Sequence, residues 1–175
     1  MSAATPAQIP TTGTWKIDSI HSTANFTVSH NAVGTFRAQF LGISGSLENG
    51  VLSGSVPVDG IQLGLPLFKE HLEGEGFFDK ANHPTLDFKS TSLSAAADGT
   101  VSLKGELTIK GTTKPIEATG TVRGPQEVTT ADGSQANRLA LDLSTTVDRR
   151  EFGLEVPAAT GWEVKVEVAL ELGEG

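Results

Sequence analysis

The 175-residue chain contains no cysteine, no tyrosine and one methionine. Without cysteine it can form no disulfide bond and offers no thiolate nucleophile or metal ligand. No run approaches the roughly 18 apolar residues of a membrane-spanning helix, and residues 1–14 lack the basic and apolar regions of a secretory signal. We therefore expect no membrane span and a cytoplasmic protein as the sequence stands, or a periplasmic or secreted one if a signal has been removed.

Several motifs of catalysis and cofactor binding are also missing. The chain has no G-x-S-x-G nucleophile elbow, no phosphate-binding loop and no dinucleotide fingerprint. Its formal net charge of −8 opposes binding to nucleic acid or to an anionic membrane surface. These features predict a protein that is not an enzyme, requires no cofactor and does not bind nucleic acid.

Alternation of apolar and polar residues dominates what is present. Apolar residues recur at every second position in segments such as "TVSLKGELTIKG" and "WEVKVEVALEL", which is the period of a strand with one dry face. Asn-Gly and Asp-Gly pairs in "ENG" (48–50) and in "ADG" (97–99 and 131–133) favour tight turns. Short alternating strands joined by such turns predict an antiparallel β-sandwich or barrel.

One segment departs from this period. In "LPLFKEHLEGEGFFDK" the apolar residues have helical spacing, and two glycines follow. We expect one or two short helices over residues 66–79, which cap one end of a barrel. Residues 1–12, rich in Ala, Thr and Pro, are predicted to form a flexible lead, and residues 13–172 a single domain.

The histidines and arginines are the remaining candidates for a polar site. His21, His30, His71 and His83 have no tight ligand spacing, so no metal site is predicted, although a His-dependent metal or hydrolytic enzyme stays open as an alternative. In "VDRREFGLEV" (147–156), one arginine at a barrel mouth would present a fork suited to a carboxylate or phosphate. The other interpretation of this run is a strand end with solvated charges.

Four blocks of sequence resemble the YceI-like family, whose members are also called polyisoprenoid-binding or lipid-binding domains. The blocks are "WKIDSIHSTANFTVSH" (15–30), "FKEHLEGEGFFDKANHPTLDFKS" (68–90), "KGELTIKGTTKPIEATGTV" (104–122) and "DRREFGL" (148–154). The resemblance implies a lipocalin-like, eight-stranded antiparallel barrel that binds a long apolar ligand, such as a polyisoprenoid, a quinone-like chain or a fatty amide or acid, without catalysis. It also implies storage or transport of that ligand, and a possible homodimer.

The chain differs from the family pattern at one block. Here "LFKEHL" replaces the usual x-R-D-x-H-L, so that Lys69 and Glu70 stand where Arg and Asp are common. If the family arginine contacts a ligand head group, the resemblance implies that this role is weakened here or passes to Lys69.

Inward-facing parity then gives the candidate ligand-binding residues. Four of them form a helical lid: Phe68, Leu72, Phe77 and Phe78. The remaining candidates form the wall and the mouth: Phe26, Val28, His30, Phe36, Phe40, Val56, Val58, Leu86, Phe88, Leu107, Ile109, Leu143, Arg149, Phe152 and Trp162. Parity does not separate a cavity lining from a packed core, so a structural or interaction protein with a filled barrel stays open as a second alternative.

Overall fold

The computed structural model describes residues 7–155 and 160–175, which form one antiparallel sheet and one α-helix. The first strands are β1 (Thr14–Ile17), β2 (Thr23–His30), β3 (Gly34–Phe40), β4 (Ser44–Glu48), β5 (Val51–Pro57) and β6 (Ile61–Gln62). After helix α1 (Pro66–Glu73) follow β7 (Thr85–Ala95), β8 (Thr100–Ile109), β9 (Thr112–Thr129), β10 (Gln135–Asp148) and β11 (Glu163–Glu174). Short 3₁₀ turns occupy Val58–Gly60 and Arg149–Phe152.

The sheet closes on itself as a barrel. The eleven strands make eight barrel strands, because three of the eight are interrupted and each consists of two numbered strands. Strands β1 and β2 lie end to end along β11, and β3 and β4 lie end to end along β2 and β1. Strands β5 and β6 form the third interrupted strand. The remaining five strands pair in chain order, and β11 returns to β1 and β2, so the barrel is an up-and-down meander. Among the described residues, positions 34–38 of β3 pair with β2 alone, because β3 meets β6 only at Gln39 and Phe40.

A local hydrogen-bonded turn explains the first interruption. The Asp18 carboxylate accepts the backbone N–H groups of Ile20 and His21 at 2.9 and 3.2 Å. An aspartate that bonds its own following backbone competes with a sheet ladder and favours a turn. Strand β1 therefore ends at Ile17, and β2 begins at Thr23.

The predicted tight turns are present. Asn49 and Gly50 have φ values of 49° and 83° and join β4 to β5 as a two-residue hairpin loop. Lys110 and Gly111 do the same between β8 and β9. Positive φ at both loop positions matches the strand twist, which is why Asn-Gly is favoured there.

The helix is shorter than the sequence predicts. Pro66 occupies its first turn, where a missing N–H is harmless, and the helix ends at Glu73 before Gly74. The helical prediction for residues 74–79 was wrong, because these residues form turns in which Phe78 N–H donates to the Leu72 carbonyl. No helix among residues 7–155 and 160–175 is long and apolar enough to cross a membrane.

The barrel interior has two apolar clusters. One lies at the end that carries the β4–β5 hairpin and includes Trp15, Leu47 and Leu141. The other lies below α1 and includes Phe40 and Phe78. Of the predicted flexible lead, residues 1–6 lie outside the described residues, whereas Ala7 and Ile9 pack against the first cluster.

Candidate functional site: an apolar cavity in the barrel

A cavity of about 320 Å³ lies inside the barrel below helix α1. Its volume is at the lower end of the range of about 300–1,000 Å³ that is typical of small-molecule sites. Nine of the eleven strands contribute to its wall, and most contributing side chains are aliphatic or aromatic. The cavity is therefore suited to an apolar ligand rather than to a polar one.

All eight phenylalanines of the chain line this cavity. Six of them form a connected series of ring contacts from the barrel wall to the lid. The Phe26 ring lies 5.7 Å from that of Phe40, which lies 5.9 Å from Phe78. Phe36 meets Phe68 of α1 edge to face at 5.7 Å. Tilted and edge-to-face rings provide a large apolar surface with a defined shape.

Helix α1 and the turn after it cover the cavity and are held in place by hydrogen bonds from charged side chains. Lys69 Nζ donates to the backbone carbonyl of Asp59 at 2.7 Å, and Lys80 Nζ binds the Glu73 carboxylate at 2.9 Å. Lys69 Nζ also lies 3.8 Å from Glu73. Lys69 therefore anchors the lid helix in this structure, and its ammonium group faces protein oxygens.

Arg149 lies at the same end and is 4% exposed. Its Nε donates to the Gly161 carbonyl at 2.9 Å, Nη2 donates to the Thr160 carbonyl at 3.1 Å, and Nη1 donates to the Leu154 carbonyl. The guanidinium carbon also lies 4.3 Å from the centre of the Trp162 ring. Burial lowers the pKa of Arg149 below its usual value. Arg149 thus holds two stretches of the loop before β11 together.

The neighbouring Arg150 has a different environment. It is exposed and binds both carboxylate oxygens of Asp148 through Nε at 2.9 and 3.1 Å. This hydrogen bonding from Arg150 lowers the pKa of Asp148 to about 2. Of the two arginines in the motif, only Arg149 contributes to the cavity wall.

The histidines do not form a cluster with one another. His30 and His71 are exposed, and the ring of His21 hydrogen-bonds to Asp18 at 2.8 Å. Within the part of the chain that the structure describes, ligand atoms of three metal-binding side chains approach within 4.8 Å only at Asp18, His21 and Glu171. The Arg138 guanidinium already lies 3.7 Å from the Glu171 carboxylate. The group is explained by the turn between β1 and β2.

A family model described as "YceI-like domain" matches residues 15–172. The chain belongs to the YceI-like family. Among curated relatives, a UPF0312 protein of Pseudomonas putida is 28% identical over 102 residues, which are 58% of this chain and 51% of the relative. The YceI-like chain thus spans about half the length of the curated relatives it matches.

Solved structures show the same YceI-like barrel. BcnA of Burkholderia cenocepacia superposes with a TM-score of 0.74 at 18% identity, covering 89% of this chain and 98% of BcnA. A polyisoprenoid binding domain from Saccharophagus degradans gives 0.74 at 15% identity, covering 92% and 98%. The YceI protein of Campylobacter jejuni gives 0.67 at 18% identity, covering 79% and 84%. The eight-stranded fold implied by the resemblance is confirmed.

Most residues named from inward parity line this YceI-like cavity. They come from strands β2, β3, β5, β7, β8 and β10, from the lid, and from the 3₁₀ turn after β10. They are Phe26, Val28, Phe36, Phe40, Val56, Phe68, Leu72, Phe77, Phe78, Leu86, Phe88, Leu107, Ile109, Leu143, Arg149 and Phe152. Their contact with a ligand stays a prediction.

Three named residues lie outside the wall, because each lies at the end of a strand or just beyond it, where strand parity no longer sets the direction of the side chain. His30 is the last residue of β2, where the strand leaves the barrel, and it is exposed. Val58 follows Pro57 in a 3₁₀ turn and is buried in the surrounding core. Trp162 precedes β11 and is 36% exposed beneath the two arginines.

Sequence reasoning missed one whole side of the wall. Strand β11 contributes Val164, Val166, Val168 and Leu170 to the cavity. The strict alternation of "WEVKVEVALEL" carried this signal, because it places the four residues on one face of a strand. Small residues also contribute, including Ala24, Gly54 and Ala118.

Proposed function

We propose that this YceI-like protein binds one long-chain apolar molecule, such as an isoprenoid, a quinone-like chain or a fatty acid or amide, and stores or carries it without chemical change. The observation that carries the proposal is the lined cavity beneath the lid helix. An interior that served only as a core would be closely packed, with few voids larger than a water molecule. The cavity of about 320 Å³ departs from that rule.

The energetics favour a chain over a small molecule. Burying apolar surface contributes about 0.8 kcal/mol per methylene, so roughly 15 buried carbons would contribute about 12 kcal/mol before costs. Loss of translational and rotational freedom opposes binding by about 4–15 kcal/mol. A ligand with only a few carbons would therefore bind weakly, and a chain that fills the cavity would bind usefully.

The relatives support the same class of ligand. One barrel of this fold is described as a polyisoprenoid binding domain, and its shape is matched over most of both chains. The wall of this chain offers the apolar surface that such a ligand requires. Head-group selectivity is expected to be weak, because Arg149 and Lys69 are engaged with protein carbonyls.

The non-catalytic part of the proposal depends on where the titratable groups lie. Within the described residues, the titratable side chains that border the cavity are those of His71 and Asp87, which are exposed, and of Arg149, which is engaged with backbone carbonyls. The carboxylate beside His21 is on the turn between β1 and β2. General acid–base catalysis needs such groups within hydrogen-bond reach of a bound substrate. A filled-barrel interaction protein is disfavoured by the cavity itself.

The proposal is tested by native mass spectrometry of protein purified without detergent, followed by solvent extraction of any bound molecule. We expect one apolar molecule per chain, or uptake of farnesol or palmitate by the empty protein. Leu107→Asp places a charge in the cavity wall and should abolish uptake, because an ionised carboxylate is strongly disfavoured beside an apolar ligand. A folded Leu107→Asp protein with normal uptake would contradict the assigned site.

The matched control is Ser102→Asp, which adds the same charge at an exposed position of the same strand β8 and should leave uptake unchanged. Homodimer formation and the cellular location stay predictions. Light scattering after gel filtration and cell fractionation test them independently of the ligand.

A further inference from the structure

The cavity stops part-way along the barrel. On β11 it is lined from Val164 to Leu170, whereas Leu172 is fully buried and does not line it. On β10 it is lined at Leu143 and Val147 but not at Leu141. Six residues of strand correspond to about 20 Å, or about 15 Å along the barrel axis after the usual strand tilt.

A continuous layer of side chains closes the far end, and we call it the floor. Its members come from β1, β4, β8, β9, β10 and β11, and none lines the cavity. Each is at most 5% exposed: Trp15, Leu47, Val101, Val122, Leu139, Leu141 and Leu172. Since the strands that carry the floor are paired on both sides, a chain that enters below α1 cannot pass through the floor without repacking it.

The volume sets how much chain the closed space holds. One water-sized group needs about 10–15 Å³ of cavity volume of this kind and occupies about 30 Å³ in a liquid, so about 320 Å³ holds roughly 10 to 30 carbon-sized groups. Long polyprenyl chains contain more carbons than that. The surplus would have to remain in water outside the lid.

We propose that the floor makes this barrel selective for chain length, so that it encloses a single apolar chain of about 10–30 carbons and excludes long polyprenyl chains. The inference rests on the proposed function, because it names which members of the apolar class are taken. Sesquiterpenoids, diterpenoids and ordinary fatty acyl chains fit this limit. The floor residues set specificity without touching the ligand, and the lining residues above them make the contacts.

The test compares farnesol, geranylgeraniol and solanesol with the full-length protein, by native mass spectrometry and by displacement of a fluorescent fatty acid. We expect farnesol and geranylgeraniol to bind at one molecule per chain. Solanesol should bind at least about tenfold more weakly, because its surplus chain must leave at the lid and displace the hydrogen bonds that Lys69 and Lys80 make there. Solanesol binding as tightly as geranylgeraniol would overturn the length limit while leaving the proposed function intact. Uptake of none of the three would overturn both.

Variants at the floor give a second test that uses a ratio of affinities. Leu141→Ala removes a fully buried side chain directly beyond Leu143 and should raise solanesol affinity relative to farnesol. Ile61→Ala, equally buried but away from the cavity wall, is the control and should leave the ratio unchanged. An unchanged ratio in a folded Leu141→Ala protein would contradict the role of the floor.

A substitution in the opposite sense covers the case in which Leu141→Ala does not fold. Ala118→Leu adds volume to a lining position of β9 and creates no void. It should weaken geranylgeraniol binding several-fold more than farnesol binding. Equal weakening of both ligands would count against selection by length, because it would show a general disturbance of the site.

Discussion

The clearest structural prediction concerns Arg149, which the sequence alone made a candidate for a ligand head group. In the structure its donors reach the backbone carbonyls of Leu154, Thr160 and Gly161, at both ends of the loop before β11. Arg149→Met keeps an unbranched apolar stem and removes every donor. We expect this change to destabilise the protein, because the three carbonyls lose their partners in a region that water enters poorly.

The magnitude follows from the number of bonds lost. A buried carbonyl without a partner costs about 1–3 kcal/mol, and because the loop can relax and hydrate, we take about 1 kcal/mol for each of the three. The total of about 3 kcal/mol corresponds to a decrease in Tm of about 6–12 °C for a domain of this size. The Tm of Arg149→Lys should lie between those of wild type and Arg149→Met, because an ammonium group cannot reach all the carbonyl acceptors that the guanidinium fork reaches.

Thermal unfolding monitored by circular dichroism measures the effect, and the adjacent arginine supplies the control. Arg150→Met removes the same charge beside the same Trp162 ring from an exposed position, so it should leave Tm nearly unchanged. A normal Tm for Arg149→Met, combined with a selective loss of affinity for anionic chains such as palmitate, would refute the loop-holding role. It would restore the head-group role.

Two further predictions concern other parts of the barrel. Gly105→Ala should destabilise the fold by about 1–3 kcal/mol, measured by urea denaturation, because an added Cβ would lie 2.5 Å from the Phe88 ring and 2.6 Å from the Lys89 carbonyl oxygen. Normal stability would show that both neighbours shift at little cost. Asp18 raises the pKa of His21 above its usual 6.5. The stabilisation that the His21–Asp18 pair gives to the folded protein is therefore complete below pH 6.5 and disappears as the pH rises through the raised pKa. Melting curves of wild type and His21→Asn should therefore converge on going from about pH 6 to pH 9, and curves that stay parallel would exclude this coupling.

Much of the barrel wall was predictable because strand side chains alternate with a fixed period of two. The parity of "TVSLKGELTIKG" placed Leu107 and Ile109 on the inner face, and both line the cavity. The method failed where the backbone changed its period. Pro57 ends β5, so Val58 turned into a 3₁₀ segment, and Trp162 lies one residue before β11 begins.

The meaning of an inward glycine was also not readable from the sequence. Gly105 carries no side chain, which by itself would leave room for a guest. The Phe88 ring occupies that space instead, because a Cβ at Gly105 would overlap it at 2.5 Å. By contrast, Gly54 on the next strand but one does line the cavity. Which glycine makes space depends on the side chain across the ladder, and cross-strand register is a tertiary property.

The sequence by itself determined the strand periodicity, the hairpin turns, the absence of thiol chemistry and the family, because these depend on residues close together in the chain or on its overall pattern. Only the tertiary structure decided where the interior is empty. Leu141 and Leu143 share one face of one strand, yet the first is packed in the floor and the second lines the cavity. That difference arises from the volumes of side chains that five other strands bring to the same level, and no local pattern records their sum.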